Sequence, residues 1–199
     1  YKRQGIGGLS TIEAQIRSLV NKGPNRVAPL TIPMSISNIA SGAIAIKFGL
    51  LGSSFSITSA CASSTHCIGE AYRNIKDGYS DIIFAGGSEA SICEFGISSF
   101  QSLTALSKSE DRNRSSIPFD LNRNGFVMGE GAGVLILEDL ESALKRGAKI
   151  YCEIVGYGTT SDAYHITSPC PDGNGAYRCM RDAMADAGVN CTCLLYTSD

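Results

Sequence analysis

The stretch FSITSAC at residues 55–61, the helical run after it, and DIIFAGG at residues 81–87 together decide the fold class. Residues 55–60 read as a short strand leading directly into Cys61. Ile68, Ala71, Tyr72 and Ile75 then recur on one helical face, and Asp77-Gly78 closes that helix. Residues 81–85 are a continuous apolar run, the pattern of a strand buried on both faces, and they end in Gly86-Gly87. Strand, helix and buried strand within about thirty residues are the unit of an α/β protein with a mainly parallel sheet.

The same alternation extends outward. Before this unit, Ser10 and Glu13 have the spacing of a capping box, with Ile12, Ile16, Leu19 and Val20 on one face and Gly23-Pro24 as a stop. Pro29 and Pro33 break the next stretch, and an apolar segment at 36–48 ends at Gly49. After it, residues 133–138 read as another buried strand, and residues 140–146 as a helix stopped by Gly147. Residues 150–157 read as a strand, and residues 175–187 as a helix stopped by Gly188.

Composition narrows the function. With 43% hydrophobic and 18% charged residues the chain is a well-packed globular protein rather than a disordered one. Its 17 Lys+Arg against 19 Asp+Glu leave a net charge of −2, without the basic face a nucleic-acid partner requires. No apolar run is long enough for a membrane span, and YKRQG at 1–5 has no leader core behind it. The eight cysteines, at 61, 67, 93, 152, 170, 179, 191 and 193, lack the dense spacing of a stapled secreted scaffold. Reduced thiols in the cytoplasm are the expectation. With only His66 and His165 available, and no second close pair beside Cys191 and Cys193, no metal site is expected.

The glycines of GFVMGEGAG at 125–133 lead into a strand rather than opening a helix, and no phosphate-loop lysine accompanies them. They read as close backbone packing or a tight turn, not a nucleotide site. Cys61 is the candidate for chemistry. At a strand-to-helix junction, unpaired N–H groups and the helix dipole stabilise a thiolate, and Ala60, Ala62, Ser63 and Ser64 leave room for a substrate. His66, on the following helix, reads as a packing or hydrogen-bonding residue.

ITSACASSTHCIGEA at 57–71, followed by DIIFAGGSEA at 81–90, closely resembles the nucleophile region of β-ketoacyl-acyl-carrier-protein synthases. The resemblance continues through PFD at 118–120, RNGF at 123–126, GEGAG at 129–133 and SDAYHITSP at 161–169, in the family's order, over about residues 5–189. The last motif points to the type II, elongating synthase of fatty-acid synthesis.

The resemblance implies a thiolase-like fold of αβαβα layers built from two related halves. Residues 1–149 would be most of the first half without its first elements, 150–189 the start of the second, and 190–199 a non-family tail of translated adapter. It implies that Cys61 takes an acyl group from acyl carrier protein as a thioester, its backbone N–H serving one side of an oxyanion hole. The acyl group then receives the carbanion formed by decarboxylation of malonyl-carrier protein.

Thr167 and Ser168 match hydroxyl residues lining the phosphopantetheine channel, and Ile36 matches a position flanking the acyl pocket. Lys22 and Arg26 would join a basic rim facing the acidic carrier. No cofactor is implied beyond the carrier's phosphopantetheine, and the full-length protein is expected to be a homodimer. The family's two catalytic imidazoles belong to second-half motifs matched by neither His66 nor His165, so the printed chain is expected to be an inactive fragment. The alternatives are a polyketide-type ketosynthase domain and a non-catalytic partner subunit; the latter typically lacks the cysteine.

Overall fold

The computed structural model describes the backbone of Lys2 and Arg3 and residues 7–192 in full. The expected tail at 190–199, and Cys193 with it, lies outside the described residues from 193 onward, and much of the N-terminal YKRQG does too. In chain order the elements are β1 (Lys2–Arg3), α1 (Leu9–Lys22), α2 (Thr31–Ser35), α3 (Ile39–Phe48), α4 (Ser63–Lys76), β2 (Ile82–Glu89), α5 (Glu94–Ser102), β3 (Gly131–Glu138), α6 (Leu140–Lys145) and α7 (Asn174–Ala187). Helices and strands are mixed along the chain, though α1 to α4 follow one another without a strand between them; Gly23, Gly49, Gly78, Gly147 and Gly188 all stand at positive φ where helices were expected to stop.

The strands form one sheet in the order β1-β2-β3. β1 and β2 pair in parallel, Lys2 opposite Gly86. Between β2 and β3 the sense reverses. The Asp139 N–H donates to the Asp81 carbonyl at one end, whereas Gly86 lies against Gly133 at the other. The sheet is therefore mixed, not mainly parallel. β2 also continues through Gly86-Gly87 rather than ending there, because a glycine is what lets β3 approach so closely.

The chain divides into two compact units. The first holds residues 1–67 and 84–136. Here α1 packs against α2 and α5, and α2 against α3. The expected capping box is absent: Gly8 is the N-cap of α1, and no side chain caps the helix. Ser10 is already inside the helix, so Glu13 turns to α5. Its carboxylate accepts the Phe95 N–H (3.0 Å), one of the unpaired donors at that helix start, and pairs with Arg17 (2.8 Å), which also reaches Glu94.

The Cys93 thiol, then the Phe95 N–H and Arg17, hold the Glu13 carboxyl below its usual range. A carboxylate depressed in the folded state stabilises above its unfolded range, and that stability is lost as pH falls through the folded value. The unfolding temperature should therefore drop more steeply below roughly pH 5 in the wild type than in Glu13→Gln, measured by thermal denaturation across the acid range. Equal slopes would show that Glu13 does not tie α1 to α5.

Two further expectations change in this unit. Pro33 does not break the chain but sits at the third position of α2, where its missing N–H has no intrahelical partner to lose. Residues 55–60 do not form a strand: bridging is confined to Ser56, and Ala60 already belongs to a 3-10 turn. An extended run becomes a strand only where a neighbour accepts its ladder bonds. β3 is not buried: Val134, Leu135 and Ile136 are each at least half exposed. It is the end strand of the described sheet, and its apolar side chains meet no covering layer there.

The second unit holds residues 68–83 and 137–199. The expected strand at 150–157 is not formed, because side chains take the backbone groups a ladder would use. The Tyr72 hydroxyl donates to the Val155 carbonyl (2.9 Å), and the Tyr157 N–H donates to the Asp186 carboxylate (3.0 Å). Gly158 lies against the Cys179 carbonyl of α7, so the segment is seated on a helix instead of beside a strand. Lys76 pairs with Asp186 (2.7 Å) and lowers its pKa, and Arg73 lies 4.6 Å over the Tyr157 ring. Burial pushes the Tyr157 hydroxyl up.

Candidate active site

The chain approaches Cys61 in extended conformation and turns sharply. Ser59 has φ −145° and ψ 47°, and Ala60 stands at φ +50°, in the left-handed region. An alanine held there costs about 1–2 kcal/mol, so the surroundings must fix it. Residues Ala60–Ala62 make a single 3-10 turn, and α4 begins at Ser63. Cys61 sits on that turn with its side of the chain open to solvent. Among the described residues nothing accepts its backbone N–H.

Three side chains hold the turn. Ser63 is fully buried; its Oγ accepts the Ser59 N–H (2.7 Å) and donates to the Ala60 carbonyl (2.7 Å). One turn further along α4, His66 Nδ1 bonds the Ser59 hydroxyl (2.5 Å). His66 is thus a hydrogen-bonding residue, as its position suggested. Cys67 lies fully buried on the same helix. The sequence showed the elbow but not the serines that lock it. Their signal is the spacing, one hydroxyl two residues before the cysteine and another two residues after it, at the helix start.

Ile36 is also in the first unit. It closes α2, donating its N–H to the Ile32 carbonyl (3.2 Å), and its side chain is substantially exposed. Lys22 and Arg26 are exposed near the end of α1.

Thr167 and Ser168 belong to the second unit and lie together on an exposed loop. Their N–H groups both donate to His165 Nδ1 (3.1 and 3.2 Å), so that nitrogen carries no proton in this arrangement and the imidazole organises the turn. The loop is pinned again by Asp162, which accepts the Cys170 N–H (2.9 Å). Neither histidine therefore has Nδ1 free for chemistry. Among the described residues no group of three or more His, Cys, Asp or Glu is placed to hold a metal ion. Among them, no helix is long and apolar enough to cross a membrane.

At the other glycine-rich stretch, Gly125 has φ +149° and lies against the backbone of Leu106 and Ser107. Leu106 and Phe126 form a parallel bridge. The close packing expected is found at Gly125 alone; a Cβ at Gly129, Gly131 or Gly133 would meet nothing, and the stretch leads to β3 rather than to a helix.

Comparison with known proteins agrees with this geometry. The family described as beta-ketoacyl synthase, N-terminal domain, matches residues 4–143, and beta-ketoacyl synthase, C-terminal domain, matches residues 151–197. The chain is 49% identical over 185 residues to 3-oxoacyl-[acyl-carrier-protein] synthase 2 of Staphylococcus aureus, covering 93% of this chain and 46% of that protein. It is 50% identical over 186 residues to the protein of the same name from Synechocystis sp., covering 93% and 45%. The chain thus spans about half the length of these curated relatives.

Among solved structures it resembles a type II polyketide synthase acyl-carrier protein in complex with its ketosynthase bound to the hexaketide. There the TM-score is 0.86 at 33% identity, covering 96% of this chain and 48% of that one. It also resembles a beta-ketoacyl synthase from Burkholderia phymatum, with TM-score 0.83 at 31% identity, covering 94% and 46%. The fold is that of the thiolase-like ketosynthases. A cysteine on a locked strand-to-helix elbow, within a chain matched along most of its length by these domains, places it in one family: the chain belongs to the beta-ketoacyl synthases.

Proposed function

We propose that the protein of which this chain forms part elongates a fatty acyl chain by decarboxylative condensation with malonyl-acyl carrier protein, with Cys61 as its nucleophile. One observation carries the reading: Cys61 is exposed at the tip of a locked turn, at the start of a fourteen-residue helix, with its own N–H unclaimed among the described residues. In the first step Cys61 Sγ attacks the carbonyl of the acyl thioester. The Cys61 N–H receives the developing oxyanion, the bond to the carrier's phosphopantetheine sulfur breaks, and that thiol leaves with a proton. In the second, the malonyl thioester loses CO2. The resulting carbanion attacks the acyl carbonyl, forms the new carbon–carbon bond, and expels Cys61 as thiolate. The product is two carbons longer.

Thr167 and Ser168 serve as hydroxyl contacts for the phosphopantetheine arm, Ile36 flanks the acyl chain, and Lys22 and Arg26 face the acidic carrier. The groups that assist decarboxylation belong to second-half motifs beyond those matched here. We read residues 1–149 as the N-terminal ketosynthase half and 150–189 as the start of the C-terminal half, in a cytoplasmic homodimer. The fatty-acid reading is favoured over the polyketide one because relatives named 3-oxoacyl-acyl-carrier-protein synthase 2 share 49–50% identity, against 33% for the polyketide ketosynthase. Incubation with an acyl-acyl carrier protein, followed by peptide mapping, should find the acyl group on the Cys61 peptide. An adduct on another cysteine, or none with the full-length protein, would overturn the assignment.

A further inference from the structure

We propose that Ser63 is the positioning residue that sets Cys61 for reaction, an inference that rests on reading Cys61 as the nucleophile. Ser63 acts through the backbone. Its buried hydroxyl binds both residues before the cysteine at once, taking the Ser59 N–H and giving its proton to the Ala60 carbonyl, each at 2.7 Å. The Ser63 N–H donates to the same carbonyl. These bonds bracket the peptide that turns into Cys61.

The need for them lies at Ala60. Its φ of +50° is one that an alanine leaves when nothing holds it. The Ser59 hydroxyl, tied to His66 Nδ1, secures the approach from the other side. The Ser63 hydroxyl therefore decides where the Cys61 N–H and thiol point relative to the first turn of α4. An alanine at 63 fills almost the same space and supplies neither bond, so the elbow relaxes while the helix remains. Cys61 is already exposed, so relaxation adds little access; what it removes is the placement of the sulfur at the helix N-terminus, and the thiol becomes less reactive.

Alkylation by iodoacetamide, followed cysteine by cysteine with mass spectrometry, tests this in the full-length protein. Cys152 is exposed and serves as the internal reference. Ser63→Ala should slow labelling of Cys61 about tenfold and leave Cys152 unchanged. Adding Ala60→Gly should bring Cys61 back to within about twofold of wild type, because glycine takes a positive φ without strain.

An unchanged Cys61 rate in Ser63→Ala, an equal loss at Cys152, or no recovery in the double variant would each overturn the proposal. If Ser63→Ala does not fold, Ser63→Cys, of similar shape with a weaker donor and acceptor, should give an intermediate rate, and a wild-type rate would overturn it. Labelling uses no acyl substrate. A protein that behaves this way yet never accepts an acyl group would refute the acyl-transfer reading and leave the role of Ser63 standing.

Discussion

With Cys61 as the nucleophile we propose, Cys61→Ala should abolish acyl-thioester formation and lower condensation by at least about a thousandfold, because no other described thiol is placed to carry the covalent intermediate. Each of the other described thiols is disqualified by its surroundings. Cys67 is fully buried. Cys93 and Cys170 are held protonated by neighbouring carboxylates, Glu13 and Asp172 respectively, which push both thiols up. The Cys179 thiol donates to the Gly158 carbonyl (3.2 Å). Cys152 and Cys191 are exposed, but neither stands on the turn before a helix.

The alanine side chain is smaller than the cysteine's and the site is open, so the variant should fold as the wild type does, and its loss of turnover reads chemistry rather than stability. The comparison is made with the full-length protein, acyl-carrier substrate and malonyl-carrier protein, measuring product two carbons longer. Turnover within tenfold of wild type would show that the acyl group is carried elsewhere or that no covalent intermediate forms.

The helices were legible because their signals are local. Glycine stops act on the residue that carries them, and apolar periodicity in α4 needs no knowledge of its neighbours. Even there the face is displaced: the most buried stripe is Ser63, Cys67 and Ala71 rather than the larger Ile68 and Ile75. Small residues take the tightest contact and the large ones flank it.

The strands were less legible because strand status depends on a partner. Residues 150–157 and 133–138 both read as strands from the sequence. One meets side-chain donors and acceptors and forms no ladder, and the other pairs at the end of a sheet with its faces exposed. The turn that carries Cys61 was readable from its place before a helix. Its locking serines were not, because a serine beside a cysteine reads as a small polar neighbour until the backbone shows which N–H and carbonyl it joins.

Gly86→Ala is expected to cost substantial stability, and Gly133→Ala opposite it is expected to cost none. By propensity alone, alanine should improve either position, since glycine in a strand interior loses about 0.5–1 kcal/mol in entropy. At Gly86 a different effect wins. A Cβ there would stand 2.2 Å from the Gly133 carbonyl oxygen and 2.7 Å from the Val134 Cα, both backbone atoms of β3. No rotamer change relieves such a clash, so β3 must move away from β2 and lengthen ladder bonds. Overpacking of this kind costs about 2–4 kcal/mol, several times the entropic gain.

At Gly133 a Cβ would meet nothing within 4 Å, and its φ is not positive, so alanine should be neutral or stabilise by about 0.5 kcal/mol. Urea denaturation of the two variants decides between packing and propensity. A midpoint that falls for Gly86→Ala and holds for Gly133→Ala places the constraint at the β2–β3 approach, whereas equal midpoints would mean that the strands lie further apart than the structure has them.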